Sequence, residues 1–272
     1  AMKTEASARA AAFHRLHQAG LLLLPNAWDA GSARLIESLG APAIATTSAA
    51  VAWAHGYADG DLLPIRILAA TVAEIARVIR VPLSVDFEGG YSPEPATVGE
   101  NVARLIEAGA VGINLEDGSG SPDLLCAKLE HVKRTAARLG VNLFVNARTD
   151  LYLRDLVPAE RQLDETLQRA ARYRAAGADG IFVPGVVDAS TIATLAAAVK
   201  LPLNVLARAG LPAAPALAAL GVRRLSAGSG IASAVYGKTA VLAAGFLRDG
   251  VSASLADGAM PYAAINALMN PP

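Results

Sequence analysis

Cysteine is almost missing from this chain. Cys126 stands alone among 272 residues, so neither an internal disulfide nor a cysteine-based zinc site can form, and a reducing, cytoplasmic setting is expected. Surplus charge is missing as well. The 24 Lys and Arg offset 24 Asp and Glu, which leaves no field favouring nucleic acid or an anionic membrane surface. The N-terminal stretch is amphipathic around Phe13, His14, Arg15 and His17 and has no apolar signal core, so export is not expected. No stretch of about 20 residues reads as apolar enough to span a bilayer, because alanine supplies much of the hydrophobic count and charges interrupt the longer runs. Phosphate-cradling loops are absent too: no Gly-x-Gly-x-x-Gly follows the first β-like run, and no P-loop lysine pattern occurs. The expected partner is a small molecule.

Hydrophobic residues make up 53% of the chain, enough for one large core, so a single domain over 1–272 is expected. Short β-like runs recur at 21–26, 43–47, 83–87, 112–116, 143–148, 180–184, 203–206 and 223–227, eight in all. Helical spacing of apolar residues separates them, for example at 31–39, 67–80, 97–108, 164–176 and 191–199. Gly40, Gly109, Gly140, Gly177 and Gly221 follow helical stretches and can take the left-handed conformation that turns a chain into its next strand. Repeated βα units with strand starts about 20 to 40 residues apart predict an α/β fold, a (β/α)8 TIM barrel, with an open doubly wound sheet as the alternative. Additional C-terminal helices are expected at 231–246 and within 253–269. This segment, about 231–272, is rich in alanine and poor in charge, and it is expected to pack on a neighbouring subunit in a homodimer or homotetramer.

Barrel enzymes carry their active sites at the strand C-termini, and those ends are rich in acids here. The third run ends Asp86-Phe87-Glu88-Gly89-Gly90, which places two carboxylates on one face if the backbone stays extended. The fourth ends Asn114-Leu115-Glu116-Asp117, and the fifth ends Asn146-Ala147-Arg148-Thr149-Asp150. A lone acid at such a place more often caps a helix or pairs with an arginine. Several converging acids would repel one another unless a cation neutralised them, and ligands made only of oxygen select Mg2+, with Mn2+ as a substitute.

In order and spacing, these motifs resemble the isocitrate lyase and phosphoenolpyruvate mutase superfamily, from about residue 21 to 237. Pro25-Asn26-Ala27-Trp28-Asp29-Ala30, Thr47-Ser48-Ala49-Ala50 and Tyr57-Ala58-Asp59-Gly60 complete the set. The resemblance implies a metal held by Asp86, Glu88 and Glu116, with Glu88 standing where the family usually has Asp. It implies that the backbone amides of Ser48, Ala49 and Ala50 cradle a substrate carboxylate, and that Arg148 pairs with the substrate. The alternative for Arg148 is an ion pair with Asp150 or Glu116. Asp59 is the candidate base, ahead of Tyr57 and His55, and Asn204 is a candidate substrate contact. The activity implied is Mg2+-dependent lyase chemistry on a small 2-oxo or 2-hydroxy carboxylic acid through an enolate.

Three departures bear on that activity. The Lys-Lys-Cys-Gly-His type loop of the best-known lyases is replaced by residues 118–122, Gly-Ser-Gly-Ser-Pro, which read as a flexible lid. Cys126 lies beyond it in an apolar setting and reads as a helical, buried residue. No lysine in this loop matches the one the phosphonate mutases hold, and Val183-Pro184-Gly185 stands where the lyases place a glutamate. The missing lysine weighs against carbon–phosphorus chemistry on phosphonopyruvate-like substrates, which is kept as the alternative to the lyase, and the missing lid cysteine and lysine motivate a barrel that binds a 2-oxo acid without turnover.

Overall fold

The computed structural model describes residues 2–270, so Ala1, Pro271 and Pro272 of the expected span lie outside the described residues. In chain order the elements are α1 (Met2–Leu16), β1 (Leu22–Leu24), β2 (Asn26–Ala27), α2 (Ala30–Ser38), β3 (Ile44–Thr46), α3 (Ser48–Ala54), α4 (Ile65–Val78), β4 (Leu83–Asp86) and α5 (Pro95–Glu107). There follow β5 (Gly112–Glu116), α6 (Pro122–Leu139), β6 (Phe144–Arg148), α7 (Ala159–Ala175), β7 (Gly180–Phe182), α8 (Ala189–Ala198), β8 (Leu203–Leu206), α9 (Ala214–Ala219), β9 (Arg224–Ser226) and α10 (Gly230–Asp249). A 3-10 turn (Ala253–Ala256) and α11 (Tyr262–Met269) complete the described chain.

All strand pairs are parallel, in the order β1-β9-β8-β7-β6-β5-β4-β3-β2. Where eight runs are expected, nine strands form, because the first run is interrupted at Pro25, which has no N–H to give to a ladder. Its first half pairs with β9 and its second with β3, so the interrupted strand closes the ring. This is the expected barrel, with helices on its outside and further helices after it.

The five glycines expected to turn helices into strands all take left-handed φ, from 75° at Gly140 to 115° at Gly109. Alternate strand positions divide the barrel's two faces. Val85, Ile113, Leu115, Val145 and Ala147 belong to the apolar core. Their neighbours Asn114, Asn146, Asn204, Arg224 and Ser226 are buried and bonded to one another inside the ring: Asn146 Nδ2 donates to Asn114 Oδ1 at 2.9 Å and Ser226 Oγ to Asn204 Oδ1 at 3.2 Å. Arg224 adds donor contacts to Ser226 Oγ and Asn114 Oδ1.

The ring is plugged from below by the end of α1. His17 stacks on Phe144 with ring centroids 4.0 Å apart, meets Phe13 edge-on, and donates from Nδ1 to the Phe13 carbonyl at 2.8 Å. Burial, then the charges of Arg224 and His14, lower its pKa from 6.5 to about 3 despite the hydrogen bond to Phe13. Between those values the unfolded chain binds a proton that the folded one does not, so this residue costs stability as pH falls from 6.5 toward 3. We expect wild type to lose about 2 kcal/mol more than His17→Gln between pH 7 and pH 5 in urea unfolding. Equal slopes for the two proteins would refute the assignment.

One expectation is corrected by α10. The helix is long and apolar enough, by length and composition, to cross a membrane, with a mean hydropathy of 1.4. Lys238 is its only charge before Arg248, so alanine does not dilute the apolar character as the sequence reading supposed. Only 6% of that stretch is buried against the rest of the chain.

Candidate active site

β4 ends at Asp86, and the chain then turns sharply: Glu88 adopts φ 48° and Tyr91 φ 58°. Asp86 and Glu88 therefore do not share an extended strand face, as their spacing alone suggests. They meet at the barrel mouth by different routes. Asp86 Oδ2 accepts from the Ser48 amide at 3.0 Å, and Asp86 Oδ1 lies 3.5 Å from Asn114 Nδ2. The Glu88 carboxylate bends toward the loop after α3, where Oε1 accepts from the Gly60 and Asp61 amides, each at 2.8 Å. Tyr91 hydrogen-bonds Glu88 through its side chain, and its own amide donates to Asp61 Oδ1 at 3.0 Å. Asp61 has φ 60°, so of the five non-glycine residues with positive φ among the described residues, three, Asp61, Glu88 and Tyr91, gather here. Strain of this kind persists where the surroundings over-determine it, often at functional sites.

Glu116 closes β5 and pairs with Arg148 Nη1 at 3.0 Å. Arg148 Nε and Nη2 grip Asp150 at 2.7 and 3.2 Å, and Arg154 Nε holds the same carboxylate at 2.8 Å. The alternative weighed for Arg148 is thus its state in the free protein: it is ion-paired with both acids. Asp117 anchors the base of the loop, accepting from the Asp150 amide, Arg169 Nη1 and the Tyr173 hydroxyl at 3.0, 2.8 and 2.6 Å.

The electrostatics show a site short of positive charge. Burial pushes Glu116 up to about 8 against the pull of Arg148, with Asp86, Asp150 and Glu88 adding to the rise. Burial also lifts Glu88 to about 7, with Asp61 and Asp59 adding to it. Among the described residues no three His, Cys, Asp or Glu side chains form a cage for a metal ion by themselves. Magnesium does not need one, since it keeps several waters and takes one or two carboxylates together with substrate oxygens. The donor set, all oxygen and in need of a cation, fits that ion.

A cleft of about 520 Å3 opens beside these acids, lined in part by Asp61, Gly89, Tyr91, Glu116, Gly118 and Lys128. A larger recess of about 770 Å3 lies at the opposite end, around His17 and Arg223, and has no cluster of acids. The expected lid is shorter than supposed. Ser121 caps α6 by accepting from the Leu124 amide at 3.2 Å, and Pro122 is already the first helical residue. Cys126 sits half-buried on α6 with its thiol pKa raised by burial, as a structural cysteine would have it.

Other candidates spread out. Asp59 is exposed in the loop that Glu88 holds, and His55 is an exposed residue bonded to Thr71 at 2.9 Å. Ser48, Ala49 and Ala50 form the first turn of α3, whose cap Thr47 gives no side-chain bond; the Ser48 amide is spent on Asp86. Asn204 lies in the polar layer inside the ring and does not line the cleft. Lys128 was missed by sequence reasoning. It falls three residues after Leu125 and four before Val132, on the buried stripe of α6, and a lysine interrupting an apolar stripe was the available signal.

Residues 13–247 match the family model described as phosphoenolpyruvate phosphomutase. The chain belongs to this family. An uncharacterized protein of Mycobacterium tuberculosis is 40% identical over 80% of this chain and 81% of its own length. The oxaloacetate decarboxylase of Rhodopseudomonas palustris is 32% identical over 65% of this chain and 62% of its own. A Burkholderia cenocepacia protein provisionally assigned as a phosphonomutase superposes with a TM-score of 0.82 at 42% identity, covering 86% of this chain and 98% of its own. The phosphoenolpyruvate mutase and isocitrate lyase superfamily named from the motifs is therefore correct, and its members are lyases or mutases.

Proposed function

We propose that this family member is a Mg2+-dependent lyase that cleaves or decarboxylates a small 2-oxo or 2-hydroxy carboxylic acid, of the oxaloacetate, isocitrate or methylisocitrate kind, through an enolate. The observation that carries the reading is the convergence of Asp86, Glu88 and Glu116 at the strand ends beside Arg148. Members of the superfamily are typically magnesium-dependent. Asp86 would hold the ion, with Glu88 and Glu116 acting through its waters, and the bound ion would supply charge stabilisation for the enolate.

The chain's own groups do the rest. Asp86 is oriented by the Ser48 amide, which leaves the amides of Ala49 and Ala50 for a substrate carboxylate. Arg148 uses three donor nitrogens on Glu116 and Asp150; its two remaining N–H groups can meet substrate oxygen, pre-aimed by those acids. Asp59, exposed at the rim, can take the proton from a substrate hydroxyl in retro-aldol cleavage. The loop from Asp117 to Ser121 lies over the cleft, where it can limit water.

Assaying oxaloacetate, 2-hydroxy di- and tricarboxylates and phosphonopyruvate with Mg2+ tests the reading. Chelator-sensitive turnover of a carbon acid supports it. Release of inorganic phosphate seen by phosphorus NMR, without carbon–carbon cleavage, would replace it with carbon–phosphorus chemistry, which the 42% identity to the Burkholderia protein favours as the second reading. Tight binding without turnover would make the barrel a carrier.

The uncovered face of α10 belongs to a second copy of this chain. α11 folds back so that Arg34 Nε donates to the Leu268 carbonyl at 3.1 Å, yet along α10 only Ala232 is buried. Val241 and Leu247 are 70% and 85% exposed. Each such side chain gains about 1.5–3 kcal/mol on burial, so a partner's equivalent helix is the natural cover in a homodimer or homotetramer. Light scattering is expected to give a dimer or larger for wild type and a smaller species for Val241→Asp/Leu247→Asp. A wild-type monomer, with or without cosedimentation on lipid vesicles, would overturn this.

A further inference from the structure

We propose that Lys128 recognises a second anionic group of the substrate, a carboxylate or phosphonate carried beyond the 2-oxo centre. This rests on the 2-oxo acid reading above and adds the part of the substrate that reading leaves open. Lys128 is 7% exposed and lines the mouth cleft between the Gly89–Tyr91 turn and the loop before α6. Its ammonium donates to the Gly89 carbonyl at 2.5 Å. Among the described residues it makes no ion pair within 4.0 Å. An ammonium has three donors, so two have no protein acceptor, in a place where an unmatched buried charge is costly.

The other cations at the mouth already hold ion pairs. Arg148 serves Glu116 and Asp150, and Arg154 serves Asp150. Among the described residues Lys128 is the cation lining this cleft that has no ion pair, although Asp61 and Glu116 lie near enough to bias its charge. The single bond to Gly89 fixes the ammonium against the wall, which lowers the entropy lost when an anion arrives. A substrate whose 2-oxo carboxylate end sits by Asp86 and Arg148 would pass Glu116, which pairs with Arg148 and lines the cleft, and place its far end toward α6. Carboxylate and phosphonate oxygens accept such charge-assisted bonds equally well.

Calorimetry with Mg2+ present, on wild type, Lys128→Met and Lys128→Arg, tests the assignment. Oxalate reads the 2-oxo acid half alone; oxaloacetate and phosphonopyruvate add the far anion. Lys128→Met is expected to hold oxalate within about twofold of wild type and to bind the extended ligand about 10- to 100-fold more weakly. Lys128→Arg should recover part of that loss. The extended ligand with the larger Lys128-dependent change identifies the far group. Equal losses for oxalate and both extended ligands would mean that Lys128 is only a strut for the Gly89 turn, and no loss for any would mean it faces nothing; either overturns the assignment. Failure of wild type to bind oxalate would overturn the 2-oxo acid reading and this assignment together, whereas oxalate binding with equal losses overturns Lys128 alone.

Discussion

Asp86→Ala is expected to lower turnover of any accepted 2-oxo acid by about a thousandfold or more, the scale for losing a main charge-stabilising element, while leaving the melting temperature close to wild type. The two halves of this expectation have separate causes. Asp86 is the acid placed to hold a cation directly, because its carboxylate is fixed by the Ser48 amide at the end of β4. Glu88 by contrast already spends Oε1 on two amides, and Glu116 faces Arg148. Removing Asp86 should therefore abolish metal-dependent chemistry even though the other two acids remain. Stability should barely change, since Asp86 adds to the repulsion that raises Glu116. Its loss removes the bonds from the Ser48 amide at 3.0 Å and from Asn114 Nδ2 at 3.5 Å, and the charge that Arg224 faces, but it relieves that repulsion. Binding of Mn2+ followed by electron paramagnetic resonance provides a readout independent of turnover, and unchanged Mn2+ affinity in a folded Asp86→Ala protein would move the metal elsewhere.

Much of the barrel was legible because its signals are local. Alternating apolar runs, helical spacing and a glycine after five of the helices need no long-range information, and the left-handed φ at Gly109 and Gly177 is what those positions require. The split at Pro25 was legible in principle, since proline cannot donate to the ladder. The acids at the strand ends were legible as types and positions, but not as geometry. Nothing in the string Asp86-Phe87-Glu88 announces that Glu88 leaves the strand with positive φ, because that turn is enforced from outside, by the Gly60 and Asp61 amides and by Tyr91. Lys128 was not legible as a site residue because the resemblance points to a lysine in the loop, whereas the cation arrives from the buried side of α6. Arg148 could be named as a functional residue, but its choice between substrate and neighbouring acids depends on the β5–β6 register that sets Glu116 opposite Arg148.

That register makes replacement of Arg148 costly in stability as well as in function. Arg148→Met leaves Asp150, whose carboxyl is fully buried, with Arg154 alone, and leaves Glu116 with no ion pair. Burial alone would depress the guanidinium's basicity, yet Glu116 and Asp150 carry it above its ordinary value, so the three groups depend on one another. Breaking a buried pair from one side typically costs about 3–5 kcal/mol. The lower figure is expected here, since Glu116 is already pushed up to about 8 and can escape by taking a proton. For a chain of this size a loss of about 3 kcal/mol lowers the melting temperature by roughly 6–12 °C. Arg148→Lys separates the structural role from the functional one. A lysine can restore one ion pair, and with it part of the stability, but it lacks the planar fork that serves two acids and still presents N–H groups to a ligand. Recovery of melting temperature without recovery of oxalate affinity would show that the spare guanidinium donors are used on the substrate. Recovery of both together would reduce Arg148 to a strut between β5 and β6.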